Sequence, residues 1–129
     1  GDTAAARSIA EGFTHPDSVA TARLSFAGLR VIGRAEVLAA VGNLHWAVRY
    51  LEALDPKRFN ISGLSEPGFP AFTRSFATRA RLYEELGNRA KAVSSYQEFL
   101  RRTENGDAAV EAQRRAAKAA LDRLRDSAR

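Results

Sequence analysis

The chain has 129 residues, with 20 Lys+Arg against 15 Asp+Glu, a formal net charge of +5, and neither cysteine nor methionine. That length supports one domain able to bury a core without cross-links, and the lack of thiols removes disulfides, zinc–thiolate sites and thiol nucleophiles. No run approaches the ~18 apolar residues that span a bilayer, and the opening GDTAAARSIAEGF is broken by Arg7 and Glu11 too early for a signal peptide.

In chain order, Asp2 to Phe13 reads as a short helix with Ala6, Ile9, Ala10 and Phe13 on one side. Thr14-His15-Pro16 breaks it, because the residue before a proline avoids the helical region, and Asp17 or Ser18 can cap the next helix. Val19, Ala22, Phe26, Leu29, Ile32, Ala35 and Leu38 then recur at helical steps as far as Val41. Gly28 and Gly33 weaken that helix by about 1 kcal/mol each, which suggests a kink or break near Gly28. A strand over Ala27 to Ile32 is the competing reading, disfavoured by the lack of strict alternation. Val41-Gly42-Asn43 is a hinge: the glycine takes the left-handed conformation that closes a helix and the asparagine can cap the next. Leu44 to Leu54 carries Leu44, Ala47, Val48, Leu51 and Leu54 inward and ends at Asp55-Pro56.

Lys57 to Pro70, KRFNISGLSEPGFP, holds Gly63, Pro67, Gly68 and Pro70 and is not expected to be regular helix. Phe59, Ile61, Leu64 and Phe69 are too apolar for a free linker. The segment is expected to fold back onto the outer face of the preceding helix, where Trp46, Tyr50 and Ala53 align. The other reading makes Trp46 and Tyr50, with Arg49 beside them and some of these loop residues, a partner-binding patch, since aromatics beside a guanidinium are typical of interface hot spots.

Beyond it, Phe72, Phe76, Ala80 and Tyr83 share a helix face, and Leu86-Gly87-Asn88 repeats the hinge 45 residues after Gly42. Ala92, Val93, Tyr96, Phe99 and Leu100 lie on the helix after it. Helices joined by so short a connection lie antiparallel with their apolar faces inward. Asn105-Gly106-Asp107 is a turn and cap that starts a last helix to about Arg125. Its narrow apolar face, Val110, Ala117, Leu121 and Leu124, either seals the last hairpin or is completed by a second chain.

Tyr83, Leu86-Gly87, Ala92-Val93, Tyr96 and Leu100 resemble a tetratricopeptide repeat, and Val41-Gly42, Ala47-Val48, Leu51 and Asp55-Pro56 resemble a more degenerate one. The resemblance covers Gly28 to Pro56 and Thr73 to Glu104. The family repeat is about 34 residues, so Lys57 to Pro70 looks like an insertion of about 11. Other departures are Phe76 where an early tryptophan is usual, Arg79 where leucine is usual, and Phe99 where a small residue is usual. The resemblance implies an all-α fold, a short right-handed helical-hairpin solenoid of about five to seven helices and no sheet. It implies one domain over 1–129: an N-terminal helical segment 1–27, a degenerate repeat 28–56, an inserted loop 57–70, a repeat 71–104 and a capping helix 106–126. The arginine- and alanine-rich texture is also similar to repeat regions at the C-termini of some bacterial serine/threonine kinases.

In function the resemblance implies a non-catalytic module that binds a protein or peptide. Its groove would be lined by Leu29, Ile32, Glu36, Ala39 and Ala40, and by Arg74, Ala77, Arg81, Glu84 and Glu85. Arg74 and Arg81, seven residues apart, suit an acidic partner; the plainer reading is that they make surface ion pairs. The basic and asparagine set of the members that bind chaperone tails is not matched, because Ile32 and Glu36 stand at the key places. The alternative is a structural or accessory domain packed in a larger assembly or beside a signalling domain.

Little points to chemistry. Charges of both signs interleave along Glu84, Glu85, Arg89, Lys91, Glu98, Arg101 and Arg102, which is the pattern of a solvated helix face and disfavours nucleic acid as a partner. His15 and His45 each lack a second metal ligand at helical spacing, Glu84 and Glu85 point to different azimuths, and Ser94-Ser95 have no recognisable base. No catalytic, cofactor or metal site is expected, and compartment and oligomeric state are left open.

Overall fold

The computed structural model describes residues 3–18, 28–54, 68–106 and 108–128, all helix and turn with no strand among them. The helices described along their whole length are α1 (Thr3–Glu11), α2 (Gly28–Ala40), α3 (Leu44–Ala53), α4 (Gly68–Glu85), α5 (Arg89–Arg102) and α6 (Ala108–Asp126). The chain divides into two compact units, Gly1–Phe72 and Thr73–Arg129, with the boundary inside α4, most of which belongs to the second.

In the first unit α2 and α3 form a hairpin, and α1 packs on α2. Val31, Ala35 and Leu38 of α2 and Ala47, Val48 and Leu51 of α3 are buried. The hairpin is closed by a Schellman arrangement: the Gly42 N–H donates to the Ala39 carbonyl at 3.0 Å and the Asn43 N–H to the Leu38 carbonyl at 2.8 Å. In the second unit the Gly87 N–H donates to Glu84 at 3.0 Å and the Asn88 N–H to Tyr83 at 2.8 Å, the same pattern atom for atom. Gly42 and Gly87 have φ of 82° and 72°. Both hinges therefore need a residue that enters the left-handed region at little cost, and glycine does so because it has no Cβ. The two asparagines differ. The Asn88 side chain accepts from the Lys91 N–H at 3.2 Å, whereas Asn43 makes no side-chain cap.

The second unit joins α4 to α5 through this hinge and packs α6 on α5. Phe76, Ala80, Leu82 and Tyr83 of α4, Ala92, Tyr96 and Phe99 of α5, and Ala117, Ala120, Leu121 and Leu124 of α6 are its buried apolar positions.

Several expectations are corrected. Residues 28–32 are helical, as the helical spacing predicts, and it is the competing strand reading that fails over those residues. Gly68 to Pro70, placed with the non-helical insertion, are the first turn of α4. Proline is tolerated there because the first N–H groups of a helix have no intrahelical acceptor to lose. Ile9 does not face inward with Ala10; it is 56% exposed while Ala10 is buried. Of the expected cover by Lys57 to Pro70, residues 57–67 lie outside the described residues, as do the residues just before Gly28, near which a kink or break was expected.

The hinge makes a conformational prediction. Nothing stands within 4 Å of a Cβ built at Gly87, so a substitution there costs backbone strain alone. Gly87→Ala is expected to lower the unfolding free energy by about 1 kcal/mol, and Gly87→Asn by less, because asparagine tolerates the left-handed region better. Urea unfolding of the three proteins checks this, and an alanine variant as stable as the parent would contradict it.

Candidate partner-binding site

Among the described side chains of α4 from Phe72 onward, the exposed ones are Arg74, Arg81 and Glu85. The three share one face of the helix. Phe72, Phe76, Ala80 and Tyr83 are buried on the opposite side. Arg81 Nε lies 3.9 Å from Glu85 Oε1, with the two side chains 65% and 51% exposed, a pair that contributes little in water.

Glu84 is placed differently from its neighbour. Its Oε2 accepts a hydrogen bond from the Tyr96 hydroxyl of α5 at 3.1 Å and its Oε1 one from Arg123 of α6 at 2.5 Å. One carboxylate thus ties three helices. Tyr96 is 7% exposed, and its phenol is pushed up to about 12, first by burial and then by the bond to Glu84. The expected divergence of Glu84 and Glu85 is what the structure has, with Glu84 turned into the unit and Glu85 to solvent. Arg123 and Tyr96 were not read from the sequence as neighbours of this face. Arg123 is one arginine among many in a mixed-charge helix, and only the fold sets it beside Glu84.

Further arginines hold α6. Arg89 of α5 donates to the Leu124 carbonyl at the far end of α6. Arg114 of α6 donates to the Leu100 carbonyl at 2.9 Å and to Thr103 Oγ1 at 2.8 Å, so it caps the C-terminal end of α5. At that same end Glu98 bridges Arg101 and Arg102 at 2.7 and 2.6 Å, and the Arg101 bond foremost holds its carboxyl below the usual range.

In the first unit the aromatic set divides. Trp46 is half-buried, and the exposed Arg49 lies over its ring at 4.6 Å. Tyr50 is fully buried; its hydroxyl donates to the Phe13 carbonyl at 2.9 Å. The Phe13 ring meets it edge-on at 6.4 Å, and Arg34 lies 5.0 Å from Phe13 and 5.9 Å from Tyr50. Ala53 is buried as well. Tyr50 therefore anchors the segment after α1, and Trp46 with Arg49 is the part of the patch that reaches solvent. The partnership with Phe13 was hidden in the sequence because it spans 37 residues and crosses a proline break. Of the α2 positions expected along the groove, Glu36 and Ala40 are exposed and Ile32 and Ala39 half-buried.

Among the described residues no His, Asp and Glu come together to hold a metal ion, and no helix is long and apolar enough to cross a membrane. His15 pairs with Asp17 at 3.3 Å on the surface. Compared with family profiles, curated proteins and solved structures, the chain matches none.

The Tyr96–Glu84 bond carries a pH-dependent prediction. Tyr96→Phe is expected to cost about 1.5 kcal/mol at neutral pH, because it removes a hydrogen bond to a partly buried carboxylate and leaves Arg123 as its remaining partner. The folded phenol keeps its proton up to about 12 while the unfolded one releases it near 10.0. This contribution is complete below pH 10 and is lost as pH rises from there toward 12. Denaturant titrations of parent and variant across that range check it, and a stability difference that stays constant through the window would contradict it.

Proposed function

We propose that the chain is a non-catalytic interaction module of tetratricopeptide-repeat type, in which hairpins closed at Gly42 and Gly87 are successive units of a short solenoid. The support is the repetition of one hinge geometry, left-handed glycine plus paired backbone bonds, 45 residues apart. The observation that carries the binding reading is the surface of α4. Two of its three exposed described side chains are arginines, Arg74 and Arg81, seven residues and hence about 10 Å apart along the helix. Glu84 does not offset them fully, because Arg123 and Tyr96 occupy its oxygens. An extended peptide with acidic side chains at a matching separation suits this stripe. Trp46 and Arg49 of the first unit are the second candidate surface.

A second reading, a structural or accessory domain that stays packed in an assembly, is favoured by how far Glu84 is committed to partners within its own unit. The two are separated by immobilising the parent chain and an Arg74→Glu/Arg81→Glu variant and quantifying captured proteins from the source cells by mass spectrometry. Both positions are exposed, so the variant is expected to melt within a few degrees of the parent. The binding reading expects at least one acidic partner retained by the parent and lost from the variant. If every captured protein survives the double charge reversal, the α4 stripe is not the binding surface.

A further inference from the structure

Asn105 and Gly106 form the exposed turn between α5 and α6. Gly106 is not left-handed, so its conformation does not demand glycine. Its surroundings do. A Cβ there would overlap Val110 Cγ2 and come within 3.0 Å of the Thr103 carbonyl oxygen. Packing thus places after Asn105 the one residue whose main-chain nitrogen has no side chain to shield it. We infer that Asn105 is a site of spontaneous deamidation, and that the docking of α6 restrains it.

The reaction needs only water. The Gly106 nitrogen loses its proton to solvent and bonds to Asn105 Cγ; the bond from Cγ to the side-chain nitrogen breaks, and ammonia leaves with a proton. The five-membered imide then takes up one water at either carbonyl, leaving aspartate or isoaspartate at position 105. No oxidant or reductant is involved.

The restraint is visible in the turn. The Gly106 N–H donates to the Thr103 carbonyl at 2.9 Å, which holds the nitrogen toward the last turn of α5. Thr103 is itself fixed: it is 4% exposed, its hydroxyl donates to the Phe99 carbonyl at 2.7 Å and accepts from Arg114 at 2.8 Å. Because Arg114 belongs to α6, attack on Asn105 requires this end of α6 to lift, and its rate tracks the population of that local opening. Conversion is also disruptive. Isoaspartate adds a methylene to the main chain in a turn with no room at Gly106, and either product adds a negative charge next to Glu104.

The test is a time course of the full chain in mildly alkaline buffer, with peptide mass spectrometry that separates aspartate from isoaspartate. The parent is followed natively and in denaturant, together with Arg114→Ala and Asn105→Gln. Arg114→Met, which keeps the apolar stem but donates no hydrogen bond to Leu100 or Thr103, serves if Arg114→Ala unfolds. Asn105 is expected to convert faster than Asn43, Asn60 or Asn88, more slowly in the native parent than in denaturant, and several-fold faster in the folded Arg114 variant than in the parent. Asn105→Gln should abolish the conversion. A native chain in which Asn105 lags the other asparagines overturns the site, and an Arg114 variant that converts at the parent's rate overturns the restraint.

Discussion

A helix that stops inside a compact unit leaves carbonyl groups without partners, and a chain that must turn back at once has little room to satisfy them. At Gly42 and Gly87 the chain meets both demands in the same way. The glycine enters the left-handed region, its N–H and that of the adjoining asparagine reach back to the helix just ended, and the next helix starts one residue later. The rest of each unit depends on that reversal. It sets α3 against α2 and α5 against α4, so that faces spaced for a 3.6-residue period meet instead of diverging. Leu38 and Leu51 in one unit, and Tyr83 and Phe99 in the other, are buried in consequence.

The second unit shows how modest apolar surface is supplemented. The inner face of α6 offers two leucines and two alanines, Leu121, Leu124, Ala117 and Ala120. Arginines supply much of the remaining attachment: Arg114 at the end of α5, Arg123 on Glu84 and Arg89 on the Leu124 carbonyl. A guanidinium suits this task because its long apolar stem lies along the helix while its fixed fork satisfies carbonyls and carboxylates. The arginine content thus contributes to internal architecture as well as to surface charge. That matters for function, since an arginine engaged in holding α6 is less available to a ligand than Arg74 or Arg81.

The hinges, the helix order and the inward faces of α3, α4 and α5 were legible in the sequence because they rest on local physics: a glycine at a helix end, and apolar residues at helical spacing. The features that were not legible depend on distant partners. Tyr50 looked like part of an outer aromatic face, yet it bonds to Phe13. Glu84 was assigned to the same groove as Glu85, yet Tyr96 and Arg123 claim it. Asn43 matched Asn88 in position, but only Asn88 caps its helix. The exposed arginines of α4 were read at their true positions because exposure there is set directly by the helical period.

The equivalence of the two hinges is the claim on which the repeat reading stands, and amide hydrogen exchange measured by NMR addresses it most directly. The Asn43 and Asn88 N–H groups, each 2.8 Å from its acceptor five residues earlier, are expected to exchange as slowly as amides inside the helices they close. Exchange at both positions at the rate of a free, solvated turn would contradict the account.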